Sequence, residues 1–256
     1  MASDEVFHEG EIALQERSGE RSAATRNGAM IAISLHPAMR TFLEQLPLLA
    51  LGFSDAQGRP WAHLLFGAPG PASSADGREV AVDLTRLAGP GMESTLSSLV
   101  PGAPLALLAI DLGSRRRLRV NGVVSSRSEG AVAVAVAEVF PNCPKYIQRR
   151  RLVEVSDRTP DASVIRGTCL DAARREAVGR ADTLFVASHH PSRGADVSHR
   201  GGAPGFVQIL DERTLRIPDY PGNGMFQTLG NLAVSGEAGL LLPDFGGGRI
   251  LQLAGR

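Results

Sequence analysis

Cysteine is scarce in this 256-residue chain. Cys143 and Cys169 are the only two, and they form neither a CxxC metal pair nor a disulfide framework. A reduced, cytoplasmic setting is therefore expected. Aromatic residues make up 5%, so a core drawn from the 43% hydrophobic content has to be mostly Leu, Val and Ala. Acids and bases balance at 27 each, which leaves no overall field to attract nucleic acid or an anionic membrane. No apolar run approaches the length of a membrane span. Residues 1–10 are acidic and lack the apolar stretch of a signal peptide. Several catalytic signatures are missing as well: GxSxG, HExxH, any Gly-Lys pair for a phosphate loop, and a GxGxxG after a strand. Of the six histidines only His189 and His190 adjoin, and neighbours on a strand point to opposite faces, so no metal site is expected.

Lysine is the scarcest charge. Lys145 is the single one, against 26 arginines, and it lies in the central stretch Pro141-Asn142-Cys143-Pro144-Lys145-Tyr146-Ile147-Gln148-Arg149-Arg150-Arg151. An ammonium is a compact charge with rotatable donors, whereas a guanidinium is a flat fork. Two prolines bracket Asn142-Cys143, which predicts a sharp turn into a short helix over 145–151. That helix reads either as a ligand-binding segment or as a plain helix start with a solvated basic face.

Periodicity predicts a helical arm at 5–19, a polar connector through 27, and a helix opening at His36-Pro37. Strands are expected at 48–53, 61–66, 80–84, 105–111, 118–124 and 131–137, with a loop at 67–77 and a short helix at 92–99. A helix follows at 171–180, strands at 183–188, 205–210 and 214–217, a short helix at 225–232, and a last pair at 239–242 and 250–253. The expected organisation is an arm (1–35), a first half (36–154), a linker (155–169) and a second half (170–256).

The order repeats. At an offset of 133 residues, 13 of the 34 positions from 89 to 122 are identical, among them Gly89, Gly91 and Met92 with Gly222, Gly224 and Met225. Chance would give roughly two or three. At an offset of 135, Gly67-Ala68-Pro69-Gly70 falls on Gly202-Ala203-Pro204-Gly205. A tandem duplication of a strand-rich unit is expected, mainly β with short helices, and short evenly spaced strands suit a small closed barrel.

The segment Asp219-Tyr220-Pro221-Gly222-Asn223-Gly224-Met225 precedes a predicted helix. Taken alone it reads first as a Pro-Gly turn capping a helix, a commonplace pattern, and second as a phosphate-binding loop, with Asn223 as a donor and Arg200 supplying charge from a neighbouring strand. The runs 142–151, 196–206 and 219–231, together with Phe7-His8-Glu9-Gly10-Glu11, resemble the pyridoxamine 5'-phosphate oxidase-related FMN-binding split-barrel family, and within it a bacterial branch with two tandem barrels. The likeness extends over nearly the whole chain. It implies six-stranded antiparallel barrels with FMN in the groove between two of them. By motif, Ser198 and Arg200 would lie on the strand that faces the FMN phosphate, and Tyr220, Asn223 and Met225 would fall on the segment that wraps it. Asn142, Lys145 and Gln148 would reach the flavin from the first half, where Lys145 or Tyr146 could donate near the pyrimidine side of the ring. Asn223-Gly224 stand where true pyridoxamine phosphate oxidases carry an Arg-Lys pair, which speaks against that reaction.

The expected function is an FMN-dependent oxidoreductase acting on a small molecule, with a separate reductase or NAD(P)H as electron source, in a homodimer. The alternative is a flavin- or haem-binding protein without turnover, for storage or sensing.

Overall fold

The apolar runs 48–53 and 105–110 show no polar alternation, the pattern of strands covered on both faces. In the computed structural model, which describes residues 6–86, 96–151 and 163–256, they are β1 (Leu48–Ser54) and β5 (Pro104–Asp111). The period of two splits each strand between two cores. Leu49, Leu51, Phe53, Leu105, Leu107 and Ala109 enter one, and Leu48, Ala50, Ala106, Leu108 and Ile110 enter the other. Burying a leucine in this way stabilises by about 1.5–3 kcal/mol.

With β2 (Pro60–Phe66), β3 (Ala72–Ser73), β4 (Glu79–Asp83), β6 (Arg116–Arg127) and β7 (Ala131–Asn142), these strands form a seven-stranded antiparallel sheet in the order β2-β1-β5-β6-β7-β4-β3. A second antiparallel sheet holds β8 (Thr183–His190), β9 (Gly194–Gly201), β12 (Ala238–Asp244) and β13 (Arg249–Gly255) in the order β13-β12-β8-β9. A small ribbon pairs β10 (Gln208–Ile209) with β11 (Leu215–Arg216). The fold is mainly β with short helices, as the strand pattern predicts. The offset of 133 lays β5 on β12, and 135 lays β1 on β8 and β2 on β9. The four-stranded order thus follows β6-β5-β1-β2 of the larger sheet.

The sheets meet through Phe185, Ala187, Val197 and Leu241 on one side and Leu48, Ala50, Ala62 and Leu64 on the other. Small residues set the spacing. A Cβ on Gly239 would stand 2.2 Å from the Pro60 carbonyl oxygen, so two backbones nearly touch there.

Five α-helices and a 3-10 turn (Leu84–Arg86) lie among the described residues, the helices being α1 (Glu9–Arg17), α2 (Arg21–Gly28), α3 (Pro37–Glu44), α4 (Ala172–Arg180) and α5 (Gln227–Ser235). The His8 imidazole caps α1 by accepting from the Gly10 N–H, and Glu11 Oε2 accepts from the His8 N–H at 2.8 Å. The helix then packs on α5 with glycine facing glycine. A Cβ on Gly10 would lie 2.4 Å from the Gly230 oxygen, and one on Gly230 would lie 2.5 Å from Glu11 Cγ.

Several expectations need correction. The supposed connector through 27 contains α2, whose Ala24 is buried with Phe7, Phe140 and Met225. The helix predicted over 145–151 does not form, and the chain runs there as an irregular strap. Tertiary partners outcompete the helical ladder: the Arg150 N–H donates to the Leu112 oxygen at 3.2 Å, and Ile147 is buried between the sheets. The hydrophobic pattern does not show β9, whose residues 194–201 include Asp, Ser, His and Arg, although the family likeness puts Ser198 and Arg200 on a strand, where they lie. The helix predicted at 225 starts at Gln227. Residues 89–95 of the repeat and 155–162 of the linker lie outside the described residues. Among those described, no helix is long and apolar enough to cross a membrane.

Candidate functional site

β6 turns Arg117, Arg119 and Asn121 to one face, since alternate residues of a strand share a side. Across the ladder on β7 stand Asn142, Phe140 and Glu138 respectively. β9 lies opposite, with Asp196, Ser198 and Arg200 again at alternate positions. Between them runs a polar groove, closed at one end by residues 143–151 and at the other by α1 and α5.

The mouth is cationic. Arg117 donates through Nη1 to the His199 oxygen at 3.1 Å and through Nη2 to the Lys145 oxygen at 2.9 Å. Arg200 Nη1 donates to Asp219 Oδ1 at 2.9 Å. Burial, and after it the neighbouring Arg119 guanidinium, lower the Arg117 pKa to about 10. The Arg117 Nε and Asn142 Oδ1 are buried without hydrogen-bond partners. Tyr146 and Tyr220, the chain's only tyrosines, stand here with ring centroids 4.9 Å apart. The Tyr146 hydroxyl donates to the Pro221 oxygen at 3.2 Å.

Deeper in, Arg119 is buried. Its Nη1 lies 2.8 Å from Asp196 Oδ1 and donates to Gln227 Oε1 at 2.9 Å, and its guanidinium lies over the Phe140 ring. Thr228 Oγ1 stands 2.8 Å from Asp196 Oδ2 and 2.9 Å from Ser198 Oγ. At the inner end, His8, Glu11, Asn121, Glu138 and Asn231 border a void of about 20 Å³, room for a single water. Burial, with the carboxylates Glu138 and Asp196 adding to it, pushes Glu11 up to about 8. Burial and then His190 bring His8 down to about 4. Between those values both groups are neutral, so their 3.5 Å approach is not an ion pair.

His8, Glu9 and His190 converge closely enough to resemble a metal cluster, which the sequence spacing concealed. Their hydrogen bonds argue otherwise. Each imidazole accepts backbone N–H bonds at Nδ1, His8 from Gly10 and His190 from Ser192 and Arg193. That fixes the Nε2–H tautomer, which donates to Asn231 Oδ1 and Glu9 Oε1 respectively. A metal-binding imidazole normally donates from its other nitrogen, which these geometries forbid.

The residues singled out from the sequence thus divide. Asn142, Tyr146, Arg200 and Tyr220 gather at the mouth, with Gln148 beside the Tyr146 oxygen through its Nε2. Lys145 contributes its carbonyl, while its side chain is exposed. Ser198 lies inside, against Thr228. Asn223 is occupied locally, its Oδ1 accepting from the Met225 N–H at 3.1 Å, and Met225 is core beside Phe7 and Phe140. Sequence reasoning missed Arg117, Arg119 and the clamp at Arg150. The Arg150 Nη2 donates to Asp182 Oδ1 at 2.6 Å, its guanidinium covers Phe245, and with Arg149, Arg151 and Gly113 it borders an open basin of about 440 Å³.

No protein-family model matches the sequence, and no curated protein does either. Among solved structures, a variant form of HupZ from Group A Streptococcus is 13% identical, covering 41% of this chain and 98% of its own, with a TM-score of 0.30. An FAD binding protein from Mycobacterium smegmatis is 12% identical, covering 43% of this chain and 96% of its own, with a TM-score of 0.29. An F420 reductase is 16% identical, covering 41% and 93%, with a TM-score of 0.24. These overlaps are too distant to carry an activity across.

Proposed function

We propose that this chain is a flavoprotein of the tandem split-barrel kind that holds FMN in the groove between β6 and β9, and that it works as an oxidoreductase on a small molecule. The observation that supports this most is the mouth itself, where a buried Arg117 Nε and Asn142 Oδ1 stand without partners beside Arg200. Two guanidinium forks match a phosphate, and charge-assisted bonds to it are the strong kind. Asn142 and Gln148 add amide contacts for a polar ring edge, and Tyr146 offers a flat apolar face. Ile147, Phe140 and Met225 seal the surrounding core against water. Bound FMN would supply hydride and electron transfer.

Reducing equivalents would come from a separate reductase or from NAD(P)H. The expected assembly is a homodimer, since β13 pairs only with β12 among the described residues and leaves an open edge.

FMN and riboflavin differ by the phosphate alone, so titrating both tests the reading. FMN is expected to bind about ten- to a hundredfold more tightly. In Arg117→Gln that preference should shrink to a few-fold. Equal affinities in the unaltered protein overturn the phosphate site.

A further inference from the structure

Each arginine at the mouth is tied to the residue preceding a tyrosine. Arg117 holds the Lys145 carbonyl, one residue before Tyr146, and Arg200 holds the Asp219 carboxylate, one residue before Tyr220. The Asp219–Arg200 pair is partly exposed, with side-chain accessibilities of 44% and 26%. Tyr146 and Tyr220 are 38% and 39% exposed, although they touch each other. A carboxylate and an aromatic ring on adjacent residues thus sit against one guanidinium and, tilted by 53°, against one ring of the groove.

We infer that Asp219 and Tyr220 act as a built-in stand-in for the ligand. The Asp219 carboxylate occupies the place on Arg200 that the ligand's anionic group takes, and the Tyr220 ring covers the face of Tyr146 that the ligand's flat ring takes. The ligand class is accordingly a planar aromatic carrying a phosphate or comparable anion, and Tyr146 is the receiving ring. Binding exchanges one carboxylate–guanidinium contact for another anion–guanidinium contact, and one ring contact for another. The segment 219–223 is then displaced as a unit. Its remaining hydrogen bonds are the Tyr146 hydroxyl on the Pro221 oxygen, Asn27 Nδ2 donating to the Asn223 oxygen at 2.6 Å, and the Met225 N–H donating to Asn223 Oδ1 at 3.1 Å, so Asn223 is the hinge end of the segment. The inference rests on the flavin reading above and specifies how that site is covered before the ligand arrives.

An internal competitor gives an unusual signature, because removing it tightens binding. Asp219→Asn should bind FMN about two- to fivefold more tightly, the range an exposed ion pair allows, with riboflavin affinity unchanged. Tyr220→Ala should bind both flavins at least as tightly as the unaltered protein. Tyr146→Ala should bind both about tenfold more weakly. Since the chain has two tyrosines, 3-fluorotyrosine labelling gives two fluorine resonances, assigned by Tyr146→Phe and Tyr220→Phe. Both should shift when FMN is added. If the unaltered protein prefers FMN but Asp219→Asn binds it equally or more weakly, the stand-in is overturned and the phosphate site survives. Unshifted fluorine resonances with FMN bound overturn the ring exchange. Should the unaltered protein show no preference for FMN, or bind neither flavin, both readings fall together.

Discussion

Gly201→Ala is expected to lift the strap 143–151 away from β9 and to cost the protein most of its flavin affinity. A Cβ at Gly201 would lie 2.1 Å from the Tyr146 carbonyl oxygen, and that neighbour is backbone rather than a flexible side-chain end. Something has to move. The strap is the movable partner, because β9 is fixed along its length to β8. Overpacking of this kind costs about 1–3 kcal/mol, which in a chain of this size lowers Tm by roughly 2–12 °C. The Arg117–Lys145 and Tyr146–Pro221 hydrogen bonds both depend on the strap's position, so FMN affinity should fall by more than about tenfold. Thermal melts, flavin titration and limited proteolysis at the strap's arginines read the three effects. A Gly201→Ala protein with unchanged melting, flavin affinity and cleavage rate would show that the strap does not shape the mouth.

Glu11→Gln is expected to stabilise the protein at pH 8 and to flatten the alkaline arm of its stability profile. The folded state keeps Glu11 protonated up to about pH 8, while the unfolded chain releases that proton near 4.5. Between those values the native state binds the extra proton, so stability falls as pH rises. Glu138, also raised by burial, acts in the same direction. Four histidines act oppositely, among them His189, which burial lowers. Burial lowers His8 and His63 to about 4, and burial with the charges of Arg117 and Arg200 lowers His199 to about 3. Below the ordinary value of 6.5 the unfolded chain takes up protons these folded histidines refuse, so stability is lost as pH falls. With four groups against one or two, the profile should peak near pH 6.5. Glutamine mimics the protonated acid, so the Glu11→Gln gain should be absent near pH 4.5 and grow to a few kcal/mol at pH 8. Urea midpoints across the range from about pH 4 to about pH 9 measure it. A variant destabilised at pH 8, with its alkaline slope intact, would place the charged form of Glu11 in the folded state.

Strands covered on both faces were the most legible part of the fold, since β1 and β5 show as unbroken apolar runs. The hairpin β12–β13 was equally clear, its expected ends 239–242 and 250–253 pairing as Leu240 with Leu253 and Leu242 with Leu251. β9 was hidden because its buried positions are filled by Asp196, Ser198 and His199, each with partners far along the chain. The same cause concealed the deeper half of the groove. Arg117-Leu118-Arg119-Val120-Asn121 alternates polar and apolar, which on an antiparallel sheet usually marks a solvated face. Only the second sheet lying across that face turns it into an interior. The tyrosines at the mouth were found through motif likeness, but their contact with each other was not, because no local pattern links residues 146 and 220. The helix predicted over 145–151 failed for the opposite reason, a local preference overruled by the Leu112 carbonyl and the buried Ile147.

The docking of α1 on α5 has a consequence for how the protein is made. His8 and its partner Asn231 are 223 residues apart. At a synthesis rate of about 5–20 residues per second, the first helix leaves the ribosome roughly 10–45 seconds before its binding surface exists. During that interval the glycine face of α1 has no native cover, although Phe7 can already meet Ala24 and, once β7 is made, Phe140, and the arm is open to chaperones and proteases. The seven-stranded sheet, complete by Asn142, can assemble meanwhile. Closing the arm is then the step that joins α1 to α5 across 223 residues, so a fusion placed ahead of Phe7 would act on that late event and leave the early ones untouched.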